Sequence, residues 1–237
     1  MISIFLLVIG NYMIKSYDKF LSKEVLPNAN EIILEDTGLV GNAWGDGTHP
    51  STNGLLNLIL NTEFKPDETL LDWGTGSGVL SIFASKTKQI QSYGIELCID
   101  SLNTAISNSK LNNVQDLTNW LHTREIYSGI FGNEYPLVDI GVANIRPGPL
   151  SRIASEICLA IKPNGIIALS GMRKHELDSV IQKYSPFIIP DSDTIDLYSN
   201  EKDGEWVLWS ARIREFDGEE RKDMMRQLSD NATDGNT

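Results

Sequence analysis

The sequence predicts an α/β fold, a doubly wound and mostly parallel sheet with helices on both faces. Three observations carry that expectation. Short apolar runs alternate with longer amphipathic ones through the middle of the chain. One apolar run, "TLLDW" (69–73), ends in a glycine-rich loop, "GTGSG", that opens directly into a helical pattern. A later run, "LVDIGVANI" (137–145), is rich in β-branched residues, which suit a buried strand.

Taken in order, the elements read as follows. The apolar start "MISIFLLVIG" has no basic residue before it. Three readings stay open for it: the apolar region of a targeting signal, a buried strand, or a helix start whose partner lies upstream. "STNGLLNLIL" (51–60) is helix-like, and "TLLDW" is a buried strand. "VLSIFASK" (79–86) starts a helix immediately after the glycine loop, and "QSYGIE" (91–96) is a second strand. Residues 99–113 place Ile99, Leu102, Ala105, Ile106 and Leu111 near helical spacing. The strand at 137–145 is followed by "PLSRIASEICLAIK" (149–162), with proline at a helix start and apolar residues at Leu150, Ile153, Ala154, Ile157 and Ile161. "NGIIALSG" (164–171) is a strand, "RKHELDSVIQKY" (173–184) a helix and "EWVLWSARI" (205–213) a final strand. Right-handed crossovers turn this cadence into a doubly wound sheet, which binds ligands at the carboxyl ends of its strands. The loops after Asp72, Glu96 and Ala143 then share one rim. The chain reads as an N-terminal segment (1–35), a targeting or truncated region, then an α/β domain (36–213) and a polar tail (214–237) expected as a frayed helix or disorder.

Composition narrows the function. A chain of 237 residues with 41% apolar content can bury one sizeable core. The net charge is −12, of which the tail, with seven acidic and four basic residues, contributes −3. An acidic surface repels phosphate backbones, so direct nucleic-acid binding is not expected. No run is long enough for stable membrane insertion as a helix. Cys98 and Cys158 stand 60 residues apart with no ligand-spaced partner and read as free thiols. A lone histidine in "WGDGTHPST" (44–52) is a poor metal site, so no metal is expected. His122 and His175 read as surface or packing residues.

"DWGTGSG" places Gly74, Thr75, Gly76 and Gly78 between a strand and its helix. Glycine lets backbone approach a ligand, but the same pattern also makes a plain tight turn. The dinucleotide fingerprint would need glycine where Val79 stands, and no lysine followed by serine or threonine marks a phosphate loop. A small nucleoside-like ligand without a pyrophosphate remains. Glu96, 22 residues after Gly74, ends the second strand where a carboxylate can accept both hydroxyls of a ribose.

"DWGTGSG" with "YGIE" resembles the methyltransferases that use S-adenosyl-L-methionine on a Rossmann-like sheet. More finely, residues 36–213 resemble the ribosomal protein L-eleven methyltransferase (PrmA) family. The match is carried by Gly47-Thr48-His49-Pro50 before the first strand of the sheet and by Asn144-Ile145-Arg146 after the fourth. "NTAISNSKLNNV", "IKPNG" and "SGMRKHE" add to it. The resemblance implies S-adenosyl-L-methionine as cofactor, held by Thr48, Thr52, Asp72, Gly74, Thr75, Gly76, Gly78, Glu96 and Asn144. It makes "GDGTHPST" a cofactor-side loop with a structural His49. Asn144 is the candidate for orienting an acceptor amine, beside its plainer reading as a turn-forming asparagine. Asp72 has two roles open, facing the cofactor's ammonium or capping backbone. The implied partner is a protein substrate, ribosomal by the resemblance. A different protein, a small amine, or a non-catalytic cofactor-binding module are the alternatives. The implied compartment is the cytoplasm, with a chloroplast or mitochondrial address left open by the apolar start.

Three residues depart from the family pattern: Asp46 for a threonine, Cys98 for an acidic residue and Arg146 for a leucine. Bacterial members also place a small recognition domain first, whereas only about 45 residues precede the threonine–histidine loop here. Recognition is then either built differently, or the start of the chain lies upstream.

Overall fold

The computed structural model describes residues 4–17, 30–35, 49–125, 137–197 and 205–234. Two sheets are present among the described residues. The smaller one holds β1 (Ile4–Ile9), β2 (Tyr12–Tyr17) and β3 (Glu31–Glu35) in that order. β1 and β2 form an antiparallel hairpin with Ile9 opposite Tyr12, and β3 adds parallel to β2. Gly10 supplies the positive φ, +57°, that a two-residue hairpin loop asks of its first position. Within the apolar start, Ile4–Ile9 is therefore a strand.

The larger sheet begins after α1 (Pro50–Asn61). It contains β4 (Thr69–Trp73), β5 (Gln91–Glu96), β6 (Thr118–His122), β7 (Val138–Asn144), β8 (Ile161–Arg173), β9 (Ile188–Leu197) and β10 (Trp206–Ile213). The order is β6-β5-β4-β7-β8-β10-β9. The first five strands run parallel, and β10 inserts antiparallel between β8 and β9. Helices α2 (Val79–Lys88) and α3 (Ile99–Leu111) cover one face together with α1. The short α4 (Pro147–Arg152), α5 (Ala154–Leu159) and α6 (Leu177–Ile181) lie on the other.

Alternation along β4 shows why both faces need cover. Leu70 points into one core with Leu55, Ile59 and Phe83, whereas Leu71 and Trp73 point into the other with Ile157 and Trp209. The small sheet joins the first core through Ile9, Ile14, Ile32 and Leu34. Tyr12 meets Phe83 edge-on at 5.7 Å, and the Lys86 ammonium donates to the Glu31 carbonyl at 2.6 Å. The small sheet is thus part of the packed body.

Two expectations change. The helix expected over 149–162 breaks at Ile153, whose φ of −106° and ψ of 23° end α4 and start α5, and Ile161 already belongs to β8. Its apolar positions are mostly buried all the same, so the burial pattern held while the backbone did not. The second concerns the tail, where α7 (Gly218–Asp234) is a helix rather than disorder. A two-pronged Arg214–Glu220 ion pair at 2.6 and 3.1 Å anchors its start, and the Arg221 guanidinium donates to the Leu159 carbonyl. Among the described residues, no helix is long and apolar enough to cross a membrane.

Candidate active site

Strand order reverses between β4 and β7, because β5 and β6 extend one way and β8 the other. The carboxyl ends of β4, β5 and β7 therefore border the crevice where a doubly wound sheet receives a ligand. Asp72, Glu96 and Asn144 all lie on that rim, as the sequence predicts.

The loop after β4 is shaped by glycine. Gly74 has φ +72°, and a Cβ there would meet Ile145 Cγ2 at 2.3 Å, so the loop lies directly against the chain leaving β7. Gly78 has φ +84° and starts α2, with Trp120 and Ala105 filling the space a side chain would take. The N–H groups of Gly74 and Thr75 both donate to the Ile95 carbonyl, at 2.8 and 3.0 Å, which ties the loop to β5.

Asp72 lies beneath this loop. Its Oδ2 accepts the Thr75 hydroxyl at 2.6 Å, whereas its Oδ1 is buried without a hydrogen-bond partner. Burial pushes its pKa up to about 7, with the nearby Glu96 charge adding to the rise and the Thr75 and Ser81 hydroxyls opposing it. A buried acceptor with nothing bonded to it is uncommon enough to need an explanation. Of the two roles open for Asp72, the observed partner is a side-chain hydroxyl, and the second oxygen remains to be satisfied.

Glu96 is half-buried and closes the loop from the other side. Oε2 accepts the Gly76 N–H at 2.9 Å, and Oε1 accepts those of Leu97 and Cys98 at 2.8 and 3.0 Å. Three of about four acceptor positions of the carboxylate are thus engaged by backbone. A ribose would share these oxygens with the loop rather than find them free. Cys98 is the N-cap residue of α3, and hydrogen bonds from Ser101 lower its thiol pKa.

On the opposite side, the Asn144 amide donates to the Thr52 hydroxyl at 3.0 Å, with both side chains buried. This bond joins the end of β7 to the first turn of α1, 92 residues apart. His49 caps that helix: its Nδ1 accepts the Ser51 N–H at 3.4 Å and lies 2.6 Å from the Ser51 hydroxyl. Its ring also meets Trp206 edge-on at 4.5 Å. The structural role expected of His49 is the one observed. Thr48 and Asp46 lie outside the described residues. Arg146 is exposed at the start of α4.

Of the two readings open for His122, surface or packing, the structure favours packing: its Nε2 lies 2.9 Å from the Leu97 carbonyl and its Nδ1 accepts the Arg124 N–H at 3.2 Å. It braces the chain just past Glu96. Asn108 and Asn112 face inward from α3, although their polarity suggests the solvent side. Among the described residues, no group of three or more His, Cys, Asp or Glu is placed to hold a metal ion.

Comparison with known proteins agrees with this fold. Residues 19–213 match the family model described as ribosomal protein L11 methyltransferase (PrmA). The ribosomal protein L11 methyltransferase of Paraburkholderia phytofirmans is 36% identical over 192 residues, covering 80% of this chain and 57% of that protein. Its counterpart in Idiomarina loihiensis is 32% identical over 187 residues, covering 78% and 57%. The chain thus spans a little over half the length of these curated relatives. A crystal structure of ribosomal protein L11 methylase from Lactobacillus delbrueckii subsp. bulgaricus shares the fold, with a TM-score of 0.62 at 16% identity over 89% of this chain and 98% of that one. With its sheet order, its glycine loop and this match over most of its length, the chain belongs to the ribosomal protein L11 methyltransferase (PrmA) family.

Proposed function

We propose that the chain is an S-adenosyl-L-methionine-dependent methyltransferase that N-methylates lysine or α-amino groups of a protein, a large-subunit ribosomal protein such as L11. The observation that carries this reading is the acidic rim at the strand-order switch. Asp72, with its unpartnered buried Oδ1, and Glu96 flank a loop of positive-φ glycines. That donor set fits a ligand bearing an ammonium, a sulfonium and a ribose. Asp72 offers a carboxylate oxygen to the cationic end, Glu96 offers acceptors to ribose hydroxyls, and Gly74, Thr75, Gly76 and Gly78 let backbone come close. Thr52 and Asn144 line the methyl side, and Thr48 is assigned there by the family resemblance. The relatives' activity supports the substrate class.

When bound, the cofactor supplies an electrophilic methyl group on a positively charged sulfur. The chain's own residues prepare the acceptor. An amine with an ordinary lysine pKa costs about 4.6 kcal/mol to deprotonate at pH 7. A site without water lowers that cost by disfavouring the ammonium. Asn144 Nδ2 is committed to Thr52, which leaves Oδ1 as the amide atom to accept an acceptor N–H and aim its lone pair. Alignment of nucleophile with methyl is then the main catalytic contribution.

The test is methyl transfer from labelled S-adenosyl-L-methionine into proteins of a source-cell lysate, with the labelled band identified by mass spectrometry. Label on lysine or α-amino groups of a large-subunit ribosomal protein is the expected result. Label confined to small amines, or to none despite cofactor binding, overturns the substrate or the activity.

A further inference from the structure

We infer that Asn108 is a positioning residue that locks the glycine loop to the edge of the N-terminal sheet, so that cofactor affinity depends on how that sheet is docked. The inference rests on reading the loop as the cofactor site. It begins with an unusual edge. β3 is the last strand of the small sheet, and its outer edge needs partners for its backbone groups. Among the described residues no strand supplies them; Asn108 of α3 and Asn112 at its C-cap do. Asn112 accepts the Ile33 N–H through Oδ1 at 2.9 Å and donates to the Ile33 carbonyl through Nδ2 at 2.6 Å. Asn108 treats Glu35 in the same way, at 2.7 and 3.2 Å.

The spacing explains why this works. Residues four apart on a helix are separated by about 6 Å along its axis, and residues two apart on a strand by about 6.6 Å. Side-chain amides at helical positions i and i+4 can therefore follow a strand edge at j and j+2. All four groups are buried, so each bond replaces one that water cannot make.

Asn108 then does what Asn112 does not. Its Nδ2 also donates to the Ser77 carbonyl at 2.9 Å, inside the glycine loop. Asn112 instead sends its second donor to the Asn108 carbonyl at 2.8 Å, within its own helix. One amide thus joins β3, α3 and the loop. A reversed amide would set Oδ1 against the carbonyls of both Glu35 and Ser77, so the orientation is determined by the network. Ser77 lies between Gly76, whose N–H holds Glu96, and Gly78, whose N–H donates to the Thr75 carbonyl at 2.9 Å. Freedom gained at Ser77 is therefore transmitted to both.

The experiment compares Asn108→Ala with Asn112→Ala in the full chain. Amide hydrogen exchange at Gly76 and Gly78 is followed without cofactor, and affinity for S-adenosylhomocysteine is measured by calorimetry. Asn108→Ala should speed exchange at both glycines and weaken binding about five- to tenfold, the worth of one hydrogen bond. KM for S-adenosyl-L-methionine should rise while kcat holds. Asn112→Ala should expose the Ile33 amide yet leave loop exchange and affinity within about twofold of the parent, because it has no bond to the loop. Equal effects of the two variants on the loop, or none, overturn the inference and leave Asn108 a structural residue only. If Asn108→Ala does not fold, Asn108→Ser, which keeps one donor, is read against the same outcomes. Failure of the parent chain to bind S-adenosylhomocysteine would refute the cofactor reading, while loop exchange would still decide the role of Asn108.

Discussion

Replacing Asp72 by asparagine should flatten the pH dependence of both folding and cofactor binding. In the folded chain, burial raises the Asp72 pKa from 3.8 to about 7. The native state then keeps a proton that the unfolded chain has lost between those values. Stability is greatest at the acid end of the window, declines as pH rises through it and levels above pH 7. Each unit of pH within the window costs up to about 1.4 kcal/mol. From pH 5 to pH 8 the parent should therefore lose roughly 2–3 kcal/mol through this one group. Asparagine cannot ionise, and Thr75 can still donate to its Oδ1. The amide Nδ2 takes the place of the unpartnered oxygen as an unpartnered donor, a defect of about 1–3 kcal/mol that does not vary with pH. Urea unfolding of both proteins at pH 5, 6, 7 and 8 isolates the slope from that offset. The gap between them should shift in favour of Asp72→Asn by roughly 2–3 kcal/mol across the range. Binding provides the opposite sign. A cationic ligand prefers the ionised carboxylate, so parent affinity for S-adenosyl-L-methionine should fall by up to about tenfold per unit below pH 7 and level above it. The variant should bind weakly with no such slope. Parallel unfolding profiles and parallel binding profiles would refute the assignment of a buried, proton-holding Asp72.

Three other substitutions probe the rim. Glu96→Ala removes the acceptor of three backbone N–H groups and should weaken S-adenosylhomocysteine binding by more than about tenfold in calorimetry while the fold survives; unchanged affinity removes Glu96 from the site. Asn144→Ala should lower turnover by about tenfold or more, with an unfolding midpoint close to the parent's; normal turnover rejects its role toward the amine. Gly74→Ala forces a side chain onto φ +72° and against Ile145, and thermal unfolding should show a loss of about 1–3 kcal/mol or more together with weakened cofactor binding. A variant as stable as the parent would mean that the loop conformation is not what glycine is there to supply.

The elements most legible in the sequence were those at the centre of the sheet. β4, β5 and β7 are apolar, short and bounded by glycine or a charged end, and both of their faces are covered, so pattern and burial coincide. The edges were not legible. β9 contains Pro190 and three aspartates, which mask it as a strand in the sequence, yet an edge strand tolerates both because one side of its backbone pairs with no strand among the described residues. β6, "TNWLH", lies at the other edge and has too little apolar character to stand out. Asp72, Glu96 and Asn144 could be singled out as candidates because each lies at, or one residue before, the end of a recognisable strand. The Asn144–Thr52 bond spans 92 residues and is visible only once the chain is folded. Asn108 and Asn112 were hidden for a different reason. Helical periodicity assigns the buried face to apolar residues, yet here both asparagines are buried while Ile99 is 54% exposed. Their polarity is matched to the backbone of a strand 73 to 79 residues away.

We propose that the rim formed by Asp72, Glu96 and the Asn144–Thr52 pair is the S-adenosyl-L-methionine site. A crystal structure of the chain with S-adenosylhomocysteine tests it most directly. Ribose hydroxyls are expected within hydrogen-bond distance of Glu96, the amino-acid end of the ligand against the Gly74–Gly78 loop above Asp72, and the sulfur facing Asn144. A ligand seated elsewhere, or one that leaves Asp72 Oδ1 and Glu96 without contact, would contradict it.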